Sequence, residues 1–78
     1  MINGKTIVLT GANSGIGLET LKLLVKGDNK ILAVDLRTDK IEELNSDKVI
    51  PMVCDVSTKE NVDKIFENTI EKLGSIDI

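Results

Sequence analysis

Short runs of branched apolar residues alternate along this chain with longer segments in which apolar residues recur every third or fourth position. Thr6 to Leu9 is the first such run, an expected buried strand that ends at the turn-former Gly11. From Ile16 to Lys26 the period changes. Leu18, Leu21, Leu24 and Val25 fall at helical spacing there, and Gly27 offers a stop. Ile31 to Val34 predicts a second buried strand, closed by Asp35. A short helix is expected from about Asp39 to Asn45, with Thr38 as its cap and Ile41 and Leu44 facing inward. Val49 to Val53 predicts a third strand. Pro51 has no N–H to give to a ladder, which favours an edge position for it.

The most regular helix comes last. Ser57 and Glu60, three residues apart, predict a capping box, and Val62, Ile65, Phe66, Thr69, Ile70 and Leu73 then form one apolar stripe. Gly74 is the expected stop, and Ile76-Asp77-Ile78 reads as the opening of a fourth strand. The order βαβαβα(β), with strands apolar on both faces, calls for a parallel sheet covered on both sides. Right-handed crossovers place the first two helices on one face and the long helix on the other. The expected fold is therefore α/β and Rossmann-like, with strand order 3-2-1-(4), the βαβαβα half of a doubly wound fold. Ligands of such folds sit at the carboxyl ends of the strands, beside strand one.

Gly11-Ala12-Asn13-Ser14-Gly15-Ile16-Gly17 lies between the first strand and the first helix. A diphosphate needs backbone N–H groups aimed at it, backed by the partial positive charge of a helix amino terminus. Glycine lets the backbone turn sharply and come close to the phosphates. The competing reading is a glycine-rich βα turn with no ligand. The spacing GxxxGxG is neither the GxGxxG of the larger dinucleotide-binding enzymes nor a P-loop. Asp35 ends the second strand, 18 residues after Gly17, where a carboxylate can accept hydrogen bonds from both hydroxyls of an adenosine ribose and repel a 2′-phosphate. Its alternative is a solvated turn carboxylate.

Thr10 to Gly17 resembles the TGxxxGIG signature of the short-chain dehydrogenases/reductases, and the likeness extends in element order from residue 5 to Ile78. In that family the loop wraps the cofactor diphosphate and ribose, which implies cofactor contact by Gly11, Asn13, Ser14, Gly15, Ile16 and Gly17. The Asp55-Val56 pair after strand three matches the family's pair that borders the adenine, although an aspartate before a helix cap is also ordinary turn chemistry. Positions Ser14 and Leu36, where NADP-preferring relatives often carry a base, carry none. NAD is thus the expected cofactor, rather than NADP. Arg37 is the one dissenting residue, because its guanidinium can swing toward a 2′-phosphate.

The family continues into an Asn-Asn-Ala-Gly segment, a serine and a Tyr-x-x-x-Lys pair. The tyrosine is the acid/base that accompanies hydride transfer. This chain has no tyrosine, and its serines (Ser14, Ser46, Ser57, Ser75) lie in loops, turns and a cap, so no catalytic residue is proposed from the sequence. With one cysteine and no histidine, neither a disulfide framework nor a zinc cluster can be assembled, and no metal site is expected. Cys54 is expected to be a small buried hydrophobe. A net charge of −3 and a single aromatic, Phe66, argue against a nucleic-acid partner. The apolar runs are far too short for a membrane span, and no signal peptide opens the chain, so a cytoplasmic location is the default.

Three functions fit. The first is the cofactor-binding opening of an oxidoreductase acting on an alcohol or carbonyl, here cut short of its catalytic part. The others are a stand-alone dinucleotide-binding module without catalysis, and a folded fragment without a ligand. Because Ile76-Asp77-Ile78 breaks off inside an expected strand, the first is favoured, with residues 1–78 forming an incomplete NAD(P)-binding domain. Such a half-fold leaves a bare sheet edge and an apolar helix face, through which self-association is expected.

Overall fold

The computed structural model describes residues 2–78, and its elements follow the alternation of periods. They run β1 (Thr6–Thr10), α1 (Gly15–Val25), β2 (Lys30–Asp35), α2 (Asp39–Glu43), β3 (Val49–Val53) and α3 (Lys59–Leu73). The strands form a parallel sheet in the order β1-β2-β3, with Ile7 level with Ile31 and Ile31 level with Val49. Pro51 sits in β3, on the edge of the sheet, opposite Ala33. On the other side of β1 the last residues follow the pattern of a parallel neighbour. Ile78 N–H donates to Thr6 O at 3.2 Å, and Val8 N–H donates to Ile78 O at 2.8 Å. Residues 76–78 form no strand of their own, but these bonds set the end of the chain beside β1, on the side where the order 3-2-1-(4) expected the fourth strand.

Side chains on a strand point alternately to opposite faces, so each strand feeds two cores. Ile7, Ile31, Ala33 and Val49 face one way and meet Leu21 of α1 and Ile41 of α2. Leu32 and Val34 face the other way and meet Ile65 of α3, with Val8, Ile50, Met52, half-buried Cys54 and Leu73 packed around them. Full burial of a Leu or Ile contributes about 1.5–3 kcal/mol, so the first face, with seven buried members, carries more of the stability than the second, with three. The stripe on α3 is only half used. Ile65 and Thr69 are buried, whereas Phe66 and Ile70 remain 47% and 56% exposed.

Two caps differ from the sequence expectation. The α3 cap is Thr58, whose hydroxyl accepts from Asn61 N–H at 3.3 Å, in place of the Ser57–Glu60 box. Ser57 is drawn away because its N–H donates to Asp55 Oδ1 at 2.8 Å. Thr38 precedes α2, but its side chain caps no backbone N–H and donates to Glu42 Oε2 instead. The true cap comes from elsewhere in the fold.

Candidate functional site

The strands end together. Thr10 is level with Val34 and Asp35 with Val53, so the glycine loop, Asp35 and the segment after β3 open on one edge of the sheet. Cys54 N–H donates to Asp35 O at 3.0 Å and ties the last two exits together.

Steric necessity shapes the loop. Gly15 has φ +55°, a left-handed conformation that costs other residues energy. At Gly17 the constraint is space, since a Cβ would stand 1.8 Å from Gly11 O and 2.7 Å from its carbonyl carbon. The start of α1 therefore lies directly against the exit of β1. Its first turn has no acidic side chain, and Ser14, at the cap position, makes no side-chain bond to it. The N–H groups of Gly15, Ile16 and Gly17 have no acceptor within the helix, and they sit at its positive end. Ser14, Gly15 and Ile16 are exposed, Ile16 to 87%. A helix amino terminus of this kind can receive an anion, and the space beside Gly11 and Gly15 is open, since a Cβ added at either would meet nothing within 4 Å.

Asn13 behaves differently from its neighbours, being only 8% exposed. Its side-chain oxygen accepts from Lys40 N–H at 2.7 Å and from Ile41 N–H at 3.0 Å, and its amide donates to Asp39 Oδ1 at 2.8 Å. Asn13 is the cap of α2 that Thr38 was expected to be. Its own N–H donates to Asp35 Oδ2 at 3.0 Å, while Leu36 N–H donates to Asp35 Oδ1 at 2.7 Å. One loop residue thus fixes Asp35 through its backbone N–H and α2 through its side chain.

Asn13, Ser14 and Asp35 share an open groove of about 540 Å3, completed by Leu36, Arg37, Asp39 and Lys40. Asp55 and Val56 lie outside it, at the exit of β3. The Ser57 hydrogen bonds hold the exposed Asp55 carboxyl below its ordinary pKa, and Asp55 O accepts from Asn61 Nδ2 at 2.8 Å, so this aspartate organises the turn into α3. Val56 is 44% exposed beside it. A second groove of about 460 Å3, between α2 and β3, holds none of the expected site residues. Sequence reasoning missed Asp39 and Lys40, because an acid and a base in the first turn of a short helix carry no signal of what they face. Among the described residues, no group of three metal-ligating side chains is assembled, and no helix is long and apolar enough to cross a membrane.

Comparison with known proteins gives a consistent answer. Residues 5–78 match the family model described as short chain dehydrogenase. The chain is 35% identical to the short chain aldehyde dehydrogenase 1 of Euphorbia lathyris, a match covering 99% of this chain and 28% of that protein. It is 29% identical to the 3-oxoacyl-[acyl-carrier-protein] reductase FabG of Thermotoga maritima, over 99% of this chain and 34% of the relative. Among solved structures, the 3-ketoacyl-(acyl-carrier-protein) reductase of Brucella melitensis complexed with NADH superposes with a TM-score of 0.86 at 31% identity, covering 96% of this chain and 32% of the other. The chain spans about a third of the length of these relatives.

Proposed function

This chain belongs to the short-chain dehydrogenase family, and on that premise we propose that it is the cofactor-binding opening of an NAD-dependent oxidoreductase acting on an alcohol or a carbonyl compound. The observation that carries the reading is the pairing of an uncapped, acid-free α1 amino terminus with the Asp35 carboxylate across one residue, Asn13. The first suits a diphosphate and the second suits a ribose diol. Gly11, Ser14, Gly15, Ile16 and Gly17 would hold the diphosphate through backbone groups, with Asn13 shaping the loop from beneath. Asp55 and Val56, at the third strand exit, are assigned to the adenine. When bound, the nicotinamide of such a cofactor supplies or accepts the hydride. The acid/base that would accompany that transfer is not among these 78 residues, which include no tyrosine. A structural neighbour solved with NADH supports a dinucleotide. The negative charge of Asp35 at the end of β2, with no base at Ser14 or Leu36, supports NAD over NADP, and the single Cys54 accords with a reducing, cytoplasmic setting.

Calorimetric titration of NADH and NADPH into the chain and into its Asp35→Ala variant tests this. The parent is expected to favour NADH, and the variant to bind NADH more weakly with a narrowed preference. An NADH/NADPH affinity ratio unchanged by the substitution would remove Asp35 from the site.

A further inference from the structure

The cations in the groove beside Asp35 are already occupied. Arg37 Nε lies 3.7 Å from Asp39 Oδ1, and Lys40 Nζ lies 3.4 Å from Glu43 Oε2. The two ion pairs are not equivalent. Lys40 and Glu43 form an ordinary pair within one exposed helix, their side chains 57% and 66% exposed. Asp39, by contrast, is held at 2.8 Å by the amide of Asn13, which is itself buried and pinned by two further hydrogen bonds through its oxygen. That fixed hydrogen bond, followed by the charges of Arg37 and Lys40, keeps the Asp39 carboxyl below its ordinary pKa, so it is ionised at neutral pH. Because Asn13 also donates to Asp35 Oδ2, a single residue anchors two carboxylates in one groove.

We propose that Asp39 is a second cofactor-selecting residue, which excludes a 2′-phosphate by adding its charge to that of Asp35 and by holding Arg37 on itself. The inference rests on the dinucleotide reading above and deepens it. Arg37 is the side chain that would otherwise reward a 2′-phosphate with a charge-assisted pair. It is 80% exposed, so its ion-pair partner decides how available it is. An exposed ion pair biases such an equilibrium by roughly fivefold at most. A carboxylate within a Debye length of about 8–10 Å adds repulsion that salt removes.

Asp39→Asn is the direct test, because it keeps an oxygen to accept from Asn13 and removes only the charge. In titrations of the chain with NADH and NADPH, the variant should raise the NADPH/NADH affinity ratio roughly fivefold relative to the parent. The gain should shrink at high salt, and in an Arg37→Gln background it should be smaller but still present, because only the loss of repulsion then remains. A purely structural role for Asp39 would lower affinity for both cofactors and leave their ratio and its salt dependence alone, and that result would overturn the proposal. Failure of the unsubstituted chain to bind either cofactor would instead overturn the dinucleotide reading, and this inference with it.

Discussion

Replacing Gly17 by alanine puts a methyl group 1.8 Å from Gly11 O, 2.7 Å from Gly11 C and 3.3 Å from the Ala12 Cα. All three obstacles are backbone, so no side chain can swing away to make room. Either α1 shifts along the sheet or the loop lifts off β1. Lifting the loop strains the bonds that follow it, Ala12 N–H to Val34 O at 3.2 Å and Asn13 N–H to Asp35 Oδ2 at 3.0 Å. Overpacking of this kind costs about 1–3 kcal/mol, and each loosened hydrogen bond adds about 1 kcal/mol. Against this, alanine gains up to about 1 kcal/mol of helix propensity over glycine. The net expectation is a loss of about 3 kcal/mol, or roughly 12–24 °C in Tm for a domain of this size. Gly15→Ala is the informative control. It is strained by its φ of +55° yet meets no atom within 4 Å, so it should lose only about 1 kcal/mol. Urea unfolding of parent and both variants, extrapolated linearly, measures the differences. A Gly17→Ala variant within about 0.5 kcal/mol of the parent would refute the close packing of loop on helix.

Asn13→Ala should cost about 1–3 kcal/mol, because it leaves the Lys40 and Ile41 N–H groups without their cap and Ile41 is buried. Hydrogen exchange is the discriminating readout, with the Ile41 amide exchanging faster in the variant while β1 amides are spared; equal protection at Ile41 would refute the cap. The half-used stripe of α3 leads to a second outcome, in solution. Phe66 and Ile70 stand exposed above a three-residue core, so the chain should sediment as a dimer or larger species, and Phe66→Ser with Ile70→Ser should reduce that tendency. A monomer at all concentrations would show that the exposed stripe drives no association.

The fold was legible because its signals are local. Ile31 to Val34 and Val49 to Val53 are apolar on both faces, and Pro51 by itself located an edge. Termini were less legible. Ser57 and Thr58 are equally good caps by composition, and the choice between them turns on Asp55 reclaiming the Ser57 N–H. At the site, the positions of the glycine loop and Asp35 were readable because each stands at a strand exit of a βαβ unit, a place the alternation of periods fixes. The role of Asn13 was not readable. Nothing in a seven-residue loop tells which helix, 26 to 28 residues away along the chain, will need its side chain. The ion pair of Arg37 was hidden for the same reason, since it depends on where that cap places Asp39.

The central claim is that an anion-bearing dinucleotide docks on the α1 amino terminus with its ribose on Asp35. A backbone amide chemical-shift titration of the chain with NADH tests it residue by residue. Saturable shifts are expected at Gly15, Ile16 and Gly17 together with Leu36, whose N–H donates to the Asp35 carboxylate. Shifts concentrated instead around Asn45 to Val49, in the groove between α2 and β3, or no saturable shift at all, would contradict it.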